Sequence, residues 1–328
     1  MKQTVLLFLA LIALNLHAVD AGALTPVKTI PLPGVSGRID HFALDTQGKR
    51  LFMAALGNDT VEVIDLAAGK RSHTIGDCST PQGLAFAPAE NRLIIANGGS
   101  GVVKTLDATT FKTIASVGDM PDADNVRYDA KTGLIYVGYG DGALGIIRAT
   151  NGELIASIKL AGHPESFQLE PDGSSIFVNV PDAQQVAVID RDKRIVVATW
   201  SLARFHSNFP IALDAANHRL FIGCRHPSRL VVLDTKTGKR VDDVEISGDT
   251  DDLFYDASRK QIYVSCGAGF IDVIAQHSAD TYQSREHIPT VGGARTSFLD
   301  EKSGELYLAV RAGMISGGAE LRVFKCSP

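Results

Sequence analysis

Short runs of apolar residues, broken by turns, recur seven times along this chain at intervals of about forty-two residues. The copies read RLFMAALGNDTVEVIDL, RLIIANGGSGVVKTLDA, GLIYVGYGDGALGIIRA, SSIFVNVPDAQQVAVID, HRLFIGCRHPSRLVVLD, KQIYVSCGAGFIDVIAQ and GELYLAVRAGMISGGAELRVF. Alternating apolar positions such as Val61 and Val63 suit half-buried strands. A period of this size, carried only by strand-like segments, predicts radial repetition of four-stranded antiparallel sheets. The expected fold is all-β, a seven-bladed β-propeller.

The repeat can be followed on the Asp or Pro that precedes each first hairpin turn, because such residues start turns for definite chemical reasons. These anchors are Asp45, Pro88, Asp129, Pro171, Asp214, Asp256 and Asp300, at spacings of 43, 41, 42, 43, 42 and 44 residues. So small a drift leaves no room for an inserted domain. The seventh copy holds only three strands' worth of sequence. The segment Thr25 to Leu32 resembles the fourth-strand segments at 71–75 and 154–158, so this N-terminal strand is expected to close the last blade and remove an unpaired edge.

Ahead of that strand, Lys2 precedes an apolar run from Val5 to Leu16, with small residues at Ala18, Ala21 and Ala23. This is secretory-signal architecture. The run is shorter than the about twenty apolar residues that a spanning helix needs. The expected organisation is a signal peptide over 1–21 and a single propeller domain over 22–328. The mature chain is then periplasmic or secreted, with no membrane span after cleavage, and a monomer is expected.

Composition changes the picture in one respect. The formal net charge is −5, the sequence pI is about 6.0, and basic residues are dispersed. Nucleic-acid binders usually carry a basic footprint, so nucleic acid is not the expected partner. A small molecule or a protein is.

The repeat phrase resembles the YVTN-type β-propeller family, which includes the YncE-like exported propellers. The nearest matches to its core are Leu51-Phe52-Met53-Ala54, Ile135-Tyr136-Val137-Gly138 and Ile262-Tyr263-Val264-Ser265. The likeness runs from about residue 26 to the C-terminus. It implies seven blades and leaves the chemistry open, because one propeller frame carries binding proteins, hydrolases, lyases and oxidoreductases.

Chemistry is then sought where the repeats disagree. Four and five residues before the anchors stand Asp40-His41, Gly83-Leu84, Asp124-Asn125, Ser166-Phe167, Phe209-Pro210, Asp251-Asp252 and Arg295-Thr296. Slightly further out lie Arg38, Asp122, His163, Glu165, His206, Asn208 and Asp249. The candidate ligand site at the channel mouth comprises Arg38, Asp40, His41, Asp124, Asn125, Glu165, Asp251, Asp252 and Arg295. Carboxylates converging from blades 1, 3 and 6 raise one another's pKa unless a cation intervenes, which suits a general base or a hard divalent cation. Arg38 and Arg295 offer the other way to neutralise them. If Asp40 faces the channel, regular strand alternation puts His41 between blades.

A second group comprises His163, His206, Cys224 and Cys266. Cys224 and Cys266 each lie ten residues after their anchors in neighbouring blades. They could form a disulfide, remain buried thiols, or join the histidines in a copper or zinc site. Cys78 and Cys326 fall at opposite faces and are not expected to pair. Nucleophile-elbow, phosphate-loop and dinucleotide fingerprints are absent from the sequence, and its glycine clusters fit hairpin turns.

Three function classes follow. The first is an exported protein that binds a small ligand, a metal ion or a protein partner at the polar mouth. The second is a propeller hydrolase, lactonase or lyase using mouth Asp and His residues with a divalent cation. The third is a copper-dependent redox protein using Cys and His of blades 4 to 6.

Overall fold

The computed structural model describes residues 22–313 and 317–328. The expected signal peptide lies outside the described residues. The strands form seven four-stranded antiparallel sheets, and no α-helix occurs among the described residues. The first blade is β2 (Phe42–Asp45), β3 (Arg50–Ala55), β4 (Thr60–Asp65) and β5 (Lys70–Ile75), in that spatial order. The next five span 81–117, 126–159, 167–201, 206–245 and 250–289.

The seventh blade is built as expected. Strand β1 (Leu24–Leu32) pairs antiparallel with β28 (Ala319–Cys326), outside β27 (Glu305–Val310) and β26 (Ser297–Asp300). Proline removes a ladder donor, and both Pro26 and Pro31 sit on this outermost strand, where an unpaired side is available.

Turn chemistry explains the anchors. The carboxylates of Asp45, Asp129, Asp214, Asp256 and Asp300 accept backbone N–H groups two or three residues on, at 2.8 to 3.1 Å. Each ends its blade's first strand.

The core is divided like the sheets. Seven apolar clusters lie between successive blades, so every blade buries both faces against neighbours. The cluster between blades 7 and 1 includes Ile30 and Leu32 from the closing strand beside Leu51, Met53 and Leu321. Apolar burial of this kind holds the ring shut, and the innermost strands are left to shape the channel.

Candidate channel-mouth site

One backbone device sets the geometry of the mouth. Asp40 N donates to Ala54 O at 2.8 Å, while Ala54 N donates to His41 O at 3.0 Å. Two residues therefore oppose one, which is a β-bulge. Asp124 and Asn125 oppose Gly138 in the same way, and Glu165 and Ser166 oppose Asn179. Register shifts interrupt the corresponding pairing in blades 2, 5 and 6. A bulge breaks the alternation of faces, so neighbouring side chains can share one side.

That corrects the expectation for His41. It does not pack between blades: Asp40 and His41, Asp124 and Asn125, and Glu165 and Ser166 all line one mouth cavity of about 350 Å³. Arg38, Asp251 and Arg295 line it too, with Asp122 and His163. Asp252 faces His41 from the channel side, where a second cavity begins.

His41 is the hub. Its Nε2 lies 3.6 Å from Asp40 Oδ1 and 3.7 Å from Asp124 Oδ1, and its Nδ1 lies 3.6 Å from Asp252 Oδ1. Burial opposes a charge on the ring, but the carboxylates together outweigh it and raise the pKa to about 10. His41 is thus an imidazolium at neutral pH and cannot serve as a general base there. The Asn125 amide nitrogen stands 3.1 Å from Nε2, and Asn125 Oδ1 is buried without a partner. An imidazolium donates from both nitrogens, so a 180° turn of the Asn125 amide gives Nε2 its acceptor.

The mouth is electrically lopsided. On one side Asp251 accepts from Arg225 Nη2 at 2.5 Å and pairs with Arg295 Nε at 2.9 Å. Arg295 also reaches Asp249 at 2.5 Å, and Arg38 holds Asp40 at 2.8 Å. The Arg225 guanidinium stacks over Phe209, 3.7 Å from the ring centroid. On the other side, no arginine among the described residues bonds Asp124 or Glu165, and only His41 lies within ion-pair distance of Asp124. Asp124 Oδ1 is buried without a hydrogen-bond partner. Burial raises the pKa of both carboxyls, with Asp40 and Glu165 adding repulsion at Asp124 and Asp251 adding it at Glu165. Burial also lifts Asp251, which its arginines limit to about 6.

Arg225 and Phe209 complete the site, and neither is among the residues expected to bind ligand. Arg225 follows Cys224 near the end of the second strand of blade 5. Its signal was a charged residue where that strand reaches the mouth loops.

The Cys and His group is not assembled. Cys224 is buried in the cluster between blades 4 and 5, and Cys266 in the cluster between blades 5 and 6. All four cysteines are unpaired. Successive blade interfaces are separated by a whole sheet, which rules out both the disulfide and a shared thiolate site. His163 Nδ1 instead donates to Gly140 O at 2.7 Å, and His206 pairs across its ladder with His226. Among the described residues no group of three or more His, Cys, Asp or Glu side chains is arranged to hold a metal ion. Burial pushes the Cys224 thiol up to about 12 and raises that of Cys266 as well. Native protein is therefore expected to react with essentially no thiol reagent at pH 8, and to titrate four thiols in guanidinium chloride. Rapid labelling of Cys224 or Cys266 in the native state would contradict this burial.

A Ser247, His287 and Asp272 group has the composition of a hydrolytic triad but lacks its geometry. Ser247 Oγ, at 3.4 Å, and Asp272 Oδ1, at 2.5 Å, both approach the same nitrogen, Nδ1. A triad needs them on opposite nitrogens.

No protein-family model matches the chain, and no curated protein matches it in sequence. Solved structures do match. A chain from the "Crystal Structure of Mitotic Checkpoint Complex" is 14% identical with TM-score 0.78, over 100% of both chains. A chain of "Kuenenia stuttgartiensis Hydrazine Synthase" is 16% identical with TM-score 0.73, over 82% of this chain and 91% of that one. At such identities the likeness is one of fold. It agrees with the seven-sheet ring: the chain is a seven-bladed β-propeller, an architecture suited to holding a ligand or partner. No described helix is long and apolar enough to cross a membrane.

Proposed function

We propose that this is an exported, YVTN-type propeller that binds a small cationic ligand at the acidic side of its channel mouth, working as a periplasmic or secreted monomer. The observation that carries the reading is the unmatched Asp124 carboxylate, 9% exposed, with a buried oxygen that no donor reaches. Three carboxylates surround His41, and among the described residues Arg38 alone adds a second positive charge within ion-pair distance of them. A ligand ammonium or a bound cation holds Asp124 and Glu165 ionised against the burial that raises their pKa values, and takes up their acceptor capacity. The arginines opposite are already engaged by Asp249 and Asp251, so an anion would have to displace carboxylates to reach them.

The test begins with the full chain expressed and fractionated, then purified from the exported fraction and titrated with ethylammonium, putrescine, Ca²⁺ and Zn²⁺. Saturable binding of at least one is expected, weakened about tenfold or more in Asp124→Asn, since a charge-assisted contact contributes roughly 1.5–3 kcal/mol. Recovery only from the cytoplasm would remove the export half of the reading. Equal affinities in wild type, Asp124→Asn and Glu165→Gln would remove the binding half.

The raised carboxyls favour one further reading, a hydrolase, lactonase or lyase in which Asp124 or Glu165 exchanges protons near neutral pH. Turnover of simple esters or lactones that disappears in Asp124→Asn would support it. Unchanged turnover in both Asp124→Asn and Glu165→Gln would exclude it.

A further inference from the structure

Below His41 the channel opens into a second cavity, of about 480 Å³, bounded by first-strand residues of all seven blades. It extends from Asp252 and Ser166 down to Thr46 beside the first hairpin turn, toward the opposite face of the ring. His41 and Ser166 border both cavities. Their linings differ in kind. The mouth is almost wholly polar, whereas the lower walls carry Phe42, Phe86, Phe254 and Phe298. Phe298 stands 6.5 Å from Phe42 and 6.1 Å from Phe254, between centroids, so these rings form an arc of aromatic wall.

One arginine faces this aromatic wall. Arg127 lines the cavity from blade 3 and makes only neutral contacts: Nη1 donates to Val126 O at 2.9 Å, and Nη2 donates to Ser166 Oγ at 3.2 Å. Its guanidinium lies 5.4 Å from the Phe167 centroid. Among the described residues no carboxylate comes within ion-pair distance of it. A guanidinium has five N–H donors, so three of them remain without a protein partner. Burial lowers its pKa, with Asp252 and Asp124 acting against that from a distance. The other arginines of the channel region, Arg38, Arg225 and Arg295, all bind carboxylates directly. Arg127 is half-buried, and a charge drawn out of water without a counter-charge is costly unless something restores its partner.

We infer that the lower channel is a second binding site, for a small amphipathic carboxylate whose anion pairs with Arg127 and whose apolar body lies against the phenylalanine wall. Planar guanidinium donors match a carboxylate in bidentate fashion, and Ser166 and Gln168 offer further polar groups at the same level. The volume lies in the range that encloses small organic ligands. This site adjoins the mouth site, sharing His41 and Ser166 on its border, but takes a ligand of opposite charge and does not rest on the function proposed above.

The deciding comparison uses native full-length protein and calorimetric titration with phenylacetate, 4-phenylbutyrate and octanoate, against 4-phenylbutyramide and inorganic phosphate. Saturable binding of at least one of the acids is expected, with the amide about tenfold weaker or worse, because it lacks the charge that Arg127 needs. Phosphate should not displace the bound acid at equal concentration. Arg127→Gln should lose about tenfold or more in affinity for the acid. Absence of acid binding overturns the proposal. So does equal binding of acid and amide, displacement by phosphate, or undiminished affinity in a folded Arg127→Gln. The acid and amide comparison needs no variant, so it decides even if Arg127→Gln fails to fold.

Discussion

Raising the pH from 6.5 to 9 is expected to cost this protein roughly 3 kcal/mol of stability through His41 alone. The ring pKa is about 10 in the fold, against 6.5 for an ordinary histidine. A pKa raised in the folded state means that the native protein binds more protons than the unfolded chain. Stability is then fully present below the unfolded pKa and drains away as pH climbs through the folded one. Asp124 and Glu165 act in the same direction, since burial raises their pKa values too. Asp251 contributes at lower pH, its loss largely over once pH passes about 6. Urea unfolding at pH 6.5, 8 and 9 reads the effect directly. His41→Gln should be about 3–5 kcal/mol less stable than wild type at pH 6.5, because it leaves buried carboxylates without their central cation. That gap should narrow as pH approaches 10 and the wild-type ring loses its proton. A stability that is flat or rising over this range would mean that His41 is not the charged hub of the mouth.

The same residue marks where sequence reading succeeds and where it stops. The anchors were legible because Asp45 and its counterparts perform a local task, accepting turn N–H groups two or three residues away. The closing strand was legible because the repeat left one blade a strand short. Asp40, Asp124 and Asp251 could be grouped because they fall at one repeat position. The facing of His41 was not legible, since it depends on a bulge whose hydrogen bonds reach residue 54, and nothing in the Asp40-His41 pair announces it. The converse error occurred with sulfur. Cys224 and Cys266 share a repeat position, but a repeat position carries each residue to its own blade interface and brings nothing together there. Only positions facing the axis converge. Arg127 was legible in principle: two residues before each anchor stand Ala43, Phe86, Arg127, Leu169, Ala212, Phe254 and Phe298, and a single charge interrupts an apolar series.

Removing residues 22–32 is expected to abolish cooperative folding. Strand β1 makes eight residue pairs with β28, and through this ladder the start of the chain is built into its last blade. Without it the outer edge of β28 is unpaired, a template for association with other chains. The loss is also apolar. Ile30 is 1% exposed and Leu32 is fully buried, and both belong to the cluster joining blades 7 and 1. That cluster cannot be replaced by its neighbours, because each blade interface has its own, and opening one interface turns a closed ring into an open stack with two exposed faces. A side-chain lesion should show the same weakness in graded form: Ile30→Ala is expected to cost roughly 2–4 kcal/mol, and Ile30→Asp more, since it also buries a carboxylate without a partner. Calorimetry of the truncated chain should show no cooperative transition, and a synthetic peptide of residues 22–32 added in trans should restore one. Thr296 Oγ1, which donates to Ile39 O at 3.0 Å, is a further buried polar tie across this junction, and it lies at the channel end. If the truncated chain kept a cooperative transition at the wild-type midpoint, closure would reside in such inner contacts, and the outer strand would be a cover for the edge instead of the clasp of the ring.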